Sequence, residues 1–127
     1  MTSLPDSLKK IRLTLARTPE FPNGSTRHGY EFAAPLDEAG RIDATVWKSV
    51  RDHCRVRRFW GDEEEDIGHL VRRPGGSWAF HYDLAGDEDD EAGYRFGDHA
   101  FLQGEYVSIR DEDGEMQTFQ VVSVIEA

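Results

Sequence analysis

Short runs of alternating apolar and polar residues, each closed by turn-forming residues, recur along the chain and point to an antiparallel β architecture. Ile11, Leu13 and Leu15 alternate with Arg12 and Thr14, the period-two pattern of a strand with one buried face. Pro19, Pro22, Asn23 and Gly24 end that run with dense turn chemistry. A second strand is expected over 28–34, with Tyr30 and Phe32 on one face, broken by Pro35 and followed by a turn at 37–40. Further on, Cys54, Val56, Arg58 and Trp60 alternate with Arg55, Arg57 and Phe59, which reads as a strand with a basic exposed face. Runs at 67–73 and 77–83 flank Pro74, Gly75 and Gly76 and predict a hairpin. In the second of them Trp78, Phe80 and Tyr82 share one face, opposite Ala79, His81 and Asp83. A short strand is expected at 94–96. A second hairpin joins 106–110 to 118–125 around 111–115, where Gly114 can take the left-handed conformation such a loop needs.

One segment has a different period. Val46, Trp47, Val50 and Cys54 recur at helical spacing, Lys48, Arg51 and Asp52 fall off that stripe, and Asp43 can cap the N-terminus. One short helix is therefore expected near 43–54. About eight strands with this helix between the second and third imply a mainly β fold, a small antiparallel barrel, because closure removes exposed edges. An SH3-like barrel is the leading form and a two-sheet sandwich the alternative. Residues 1–8 read as a loose leader and 9–127 as a single β-rich domain.

A chain of 127 residues can bury roughly two thirds of its unfolded surface, so it needs no disulfide or metal to fold. Although 31% of residues are charged, three Trp, four Tyr and seven Phe supply core material, against the composition of a disordered chain. The formal charge is −10, which disfavours nucleic acid and anionic lipid and makes a cationic patch or a bound cation the natural charged partner; simple solubility is the plainer reading. Fifteen of the 25 acids lie in 62–66, 83–91 and 111–115, all expected loops or their edges. The lone cysteine, Cys54, excludes an internal disulfide and fits a reducing compartment. With no signal-peptide layout and no apolar run near membrane-span length, a cytoplasmic monomer is expected.

The chain resembles a family of small, chiefly proteobacterial proteins with no assigned function. The residues that prompt this are His28-Gly29-Tyr30-Glu31-Phe32, Cys54-Arg55-Val56-Arg57-Arg58-Phe59-Trp60, Gly93-Tyr94-Arg95-Phe96-Gly97 and Gly104-Glu105-Tyr106-Val107-Ser108-Ile109. The resemblance covers most of 11–124 and implies a bacterial cytosolic setting. It implies no reaction and no catalytic residue.

Several constellations could carry function. Trp78, Phe80, Tyr82, Tyr94 and Phe96 could line a barrel mouth that takes a small apolar or planar ligand; the competing reading, favoured by the area aromatic rings bury, is that they are core. Arg55, Arg57 and Arg58 beside Phe59 and Trp60 could form an interaction surface, but pairing with Glu63, Glu64 and Glu65 is the expectation. His81 and Asp83 share a strand face and could contribute to a metal site, though no paired-ligand spacing occurs. Asp111, Asp113 and Gly114 begin like a calcium loop, yet the glycine comes too early and Val122 stands where the bidentate Glu should be. Cys54 beside Arg55 could be a reactive thiol, but it falls where the helix stripe meets the next strand and reads as core. The leading expectation is a non-enzymatic binding or protein-interaction module with no cofactor, whose partner is a protein or a small molecule. The alternative is a small metal-dependent or ligand-binding enzyme using His81 and Asp83.

Overall fold

Each alternating run forms a strand, and each strand pairs antiparallel with the next in the chain. The computed structural model describes residues 5–83, 90–94, 96–111 and 114–127, with the Tyr94 side chain outside the described set. The elements are β1 (Leu8–Leu15), β2 (Ser25–Pro35), α1 (Ala44–Val50) with a 3-10 turn (Arg51–His53), β3 (Arg55–Trp60), β4 (Asp66–Arg72), β5 (Trp78–Tyr82), β6 (Glu91–Tyr94), β7 (Tyr106–Arg110) and β8 (Met116–Glu126). β8 returns to pair with β1, with Leu13 opposite Val121, and closes an eight-stranded barrel in strict chain order. The fold is thus a closed antiparallel barrel, and the sandwich alternative is set aside. Strand order alone does not assign the SH3-like subtype. β1 starts at Leu8, inside the stretch expected to be a leader, and residues 1–4 lie outside the described set.

The alternation decides which side chains fill the barrel. Ile11, Leu13, Tyr30, Phe32, Leu70, Phe80, Val107, Ile109, Phe119 and Val121 point inward and are at most 2% exposed. Their rings meet edge-on or tilted, as Tyr30 does with Phe80 at 5.2 Å and with Phe119 at 5.1 Å, in the geometry that aromatic quadrupoles favour. Gly68 permits the close approach of β4 to β5, since a Cβ there would stand 2.0 Å from the His81 carbonyl oxygen.

Because neighbours are antiparallel, connections leave the barrel at alternate ends. The β2–β3, β4–β5 and β6–β7 connections share one end, and α1 closes it. The Asp43 carboxylate accepts from the Thr45 and Val46 amides at 3.0 and 3.1 Å, capping the helix as expected. Trp47 then turns into the barrel end, where its ring meets Trp78 edge-on at 5.2 Å and its Nε1 donates to the Leu70 carbonyl at 3.1 Å. Phe96 and Phe101 complete the plug, packed against each other and against Phe32.

Phe96 corrects one expectation. The strand anticipated at 94–96 runs instead over Glu91–Tyr94. Phe96 folds back beneath it, its amide donating to the Gly93 carbonyl at 3.3 Å. Its ring occupies the place of a Gly93 side chain, 2.5 Å from where a Cβ would stand.

Candidate functional site

The other end of the barrel is hollow. Residues of the β1–β2, β3–β4 and β7–β8 connections, with the ends of β5 and β6, rim a cavity of about 840 Å³, within the range of about 300–1,000 Å³ typical of small-molecule sites. Leu15, Phe21, Trp60, Tyr82 and Met116 contribute its apolar wall, and Arg17, Glu20, Arg58, Glu63, Asp66, Glu91, Asp111 and Glu115 its charged groups.

A buried polar network forms the floor. β6 turns Glu91 into the barrel, where the residue is 4% exposed. One carboxylate oxygen accepts from the Tyr30 hydroxyl at 3.0 Å and from the Tyr82 hydroxyl at 2.5 Å. The other lies 3.8 Å from Nε of Arg58, whose Nη1 is 3.7 Å from Asp66. The guanidinium stacks 4.4 Å over the Trp60 ring. Burial, reinforced by the neighbouring Glu91, drives the Tyr30 and Tyr82 pKa values well up, so both phenols keep their protons and donate. Burial acts to lower the Arg58 pKa, but its anionic and phenolic neighbours outweigh that and raise it. The two phenols and the guanidinium therefore keep their protons across the neutral range. Phenols tuned so far from neutrality are poor proton carriers for acid–base catalysis.

The rim is built from side-chain stacking. Phe21 tilts against His28 at 4.6 Å, and His28 meets Trp60 edge-on at 4.7 Å. Ser25 Oγ and His28 Nδ1 share a hydrogen bond of 2.6 Å. Burial, then the nearby Arg27, lowers the His28 pKa, which favours the neutral imidazole in this stack.

The aromatic set expected from sequence divides. Trp78, Phe80 and Phe96 are 1–3% exposed and belong to the core, away from the cavity wall. Tyr82 alone of the described members lines the cavity, and the Tyr94 side chain lies outside the described residues. The arginine cluster divides as well. Arg55 and Arg57 lie on the outer wall, but Arg58 points inward with Val56 and Trp60, so the strand's basic face holds two of the three. The expected pairing with Glu63, Glu64 and Glu65 holds only for Arg57 and Glu65, at 2.7 Å. Arg55 pairs with Asp83 at 3.2 Å, and Arg58 with Asp66 and Glu91. Cross-strand register explains the exchange: Arg58 stands opposite Asp66, and Arg57 opposite Ile67.

His81 and Asp83 are committed elsewhere. His81 Nδ1 lies 2.7 Å from Asp90, which Arg73 also contacts, and Asp83 binds Arg55 and stands 3.4 Å from His69. Among the described residues no group of three or more His, Cys, Asp or Glu is placed to hold a metal ion. Of the calcium-like opening, Asp113 lies outside the described residues, while Asp111 accepts from the Glu115 amide at 2.9 Å as a hairpin brace. Cys54 is fully buried, and burial pushes its thiol pKa up to about 12, the reverse of activation.

Sequence reasoning missed Glu91, Tyr30 and the inward role of Arg58. The alternation did carry one signal, since it placed Arg58 on the same face as Val56 and Trp60. An arginine on a buried face demands a buried acid. Among the described residues no helix is long and apolar enough to cross a membrane. Compared with known proteins, the chain matches no family model, no curated protein and no solved structure.

Proposed function

We propose that this protein is a non-enzymatic binding module that takes a small molecule with an apolar or planar body into the open mouth of the barrel. The observation that carries this reading is the asymmetry of the barrel interior: aromatic packing fills one end, and a cavity of about 840 Å³ occupies the other. The floor supports the same reading, since its phenols are held by hydrogen bonds to Glu91 and its guanidinium by ion pairs with Glu91 and Asp66 and by the Trp60 ring. A bacterial cytosolic setting, drawn from the resemblance, belongs to this proposal.

Amide chemical-shift mapping of the full chain against a diverse fragment library tests it. Binders should shift Trp60, Tyr82 and Gln117 and leave Trp47 and Trp78 unmoved. A library without a single binder at the mouth, or with binders only on the outer wall, contradicts the reading.

A further inference from the structure

The meander has an electrostatic consequence. Alternate connections exit at the same end, and the described parts of those at the mouth place Glu20, Glu63, Asp111 and Glu115 on the cavity wall. Around the cavity itself the described wall carries six acids, Glu20, Glu63, Asp66, Glu91, Asp111 and Glu115, against Arg17 and Arg58.

The cations of the mouth do not reverse this. Arg58 is held by Glu91 and Asp66 and covers a face of Trp60, and among the described residues Arg17 is the remaining cation on the wall. Among the described residues Glu20, Glu63 and Glu115 line the cavity without a Lys or Arg in ion-pair contact. A cleft walled by one sign of charge focuses its field into the opening and raises the local concentration of the opposite ion. An anionic guest would meet that field unfavourably. A metal ion would need several ligands converging on one point, and the described residues offer no such group. The apolar wall of Phe21, Trp60, Tyr82 and Met116 asks instead for a guest with a hydrophobic body, and aromatic faces themselves attract cations.

Resting on the binding reading above, we infer that the ligand class of the mouth is a small organic cation: an amine or amidine-like head held at the acidic rim, with an apolar body inside the barrel. Three compounds of matched shape separate charge from fit: 2-phenylethylamine, 2-phenylethanol and phenylacetate, titrated calorimetrically into the full chain at low ionic strength with amide shifts followed in parallel. The amine should bind about tenfold more tightly than the alcohol, a gap of the size a few exposed charges supply, and phenylacetate most weakly. Added salt should narrow the gap. The exposed triple variant Glu20→Gln/Glu63→Gln/Glu115→Gln should bring the amine down toward the alcohol and leave the alcohol unchanged.

Phenylacetate binding better than the amine, or an amine-to-alcohol ratio unaltered in the triple variant, overturns the cationic class; shifts at Trp60 and Tyr82 in the same titration would keep the binding reading. Pentalysine binding more tightly than the amine, with shifts confined to the rim and none at Tyr82, would replace a small guest with a basic protein surface. If no compound shifts the mouth, both the class and the binding reading fall.

Discussion

The two ends of the barrel are built from the same eight strands and yet behave as different materials. At one end the β2–β3 connection is long enough to form α1, which carries Trp47 down onto Trp78, and the chain after β6 returns Phe96 and Phe101 into the opening. At the other end the described connections bring few apolar groups, such as Phe21 against His28, and the cavity wall carries more acids than cations. A barrel of this size needs a plug as well as strands. The connections decide which end receives it, and what is left open is a cavity whose charge the same connections set.

Substitutions should expose that contrast, and the largest effect belongs to the plug. Trp78→Ala should destabilise the protein by about 3–5 kcal/mol, the cost of removing a buried ring from a close-packed site, measured by urea melts against wild type. A folded variant within about 1 kcal/mol of wild type would mean the plug is looser than its ring contacts indicate.

Alkaline titration probes the buried thiol and phenols. The folded Cys54 pKa lies near 12, above its ordinary value of 9.0, so as pH rises the unfolded chain loses this proton first. The resulting stabilisation is complete below pH 9 and declines as pH climbs toward 12; Tyr30 and Tyr82, also raised, act in the same direction above pH 10. Melting temperature should fall steadily over this interval, and native Cys54 should resist alkylation until the chain unfolds. Rapid alkylation at neutral pH would contradict its burial.

At the mouth floor, Tyr82→Phe removes a donor to a buried carboxylate and should cost about 1.5–3 kcal/mol, the range for hydrogen bonds to charged groups. A neutral result would mean that Glu91 has found another donor. The smallest effect is expected on the outer wall. Glu65→Lys breaks the partly exposed pair with Arg57 and should cost below about 1 kcal/mol, less in high salt. A larger loss that persists in salt would mark the outer arginines as structural.

The strands and helix were legible because local patterns decide them. Asp43 caps where a capping residue was expected, β7 has the anticipated bounds, and the Trp78–Phe80–Tyr82 face points inward. The β6 boundary was not legible, because the fold-back of Phe96 onto Gly93 depends on a tertiary contact rather than on alternation. The floor network joins Tyr30, Arg58, Tyr82 and Glu91 from four strands, and no spacing rule links such distant positions. The gathering of acids at one end is different in kind. It follows from strand order alone: in a meander, the first, third, fifth and seventh connections share an end. Glu20, Glu63 and Glu115 were visible in the sequence, but their meeting on one cavity wall required knowing that every strand pairs with its neighbour in the chain.

Tryptophan quenching tests the sealed-end, open-end account most directly, because the three indoles report on the two ends. Trp47 and Trp78 lie in the plug at 8% and 3% exposure, and Trp60 lines the mouth. With quenching by caesium and iodide each normalised to a free tryptophan amide, the account predicts that caesium quenches more effectively than iodide and that Trp60→Phe abolishes nearly all quenching by either ion. Quenching that survives in Trp60→Phe would show the plugged end to be open, and iodide matching or exceeding caesium in wild type would contradict an acidic mouth.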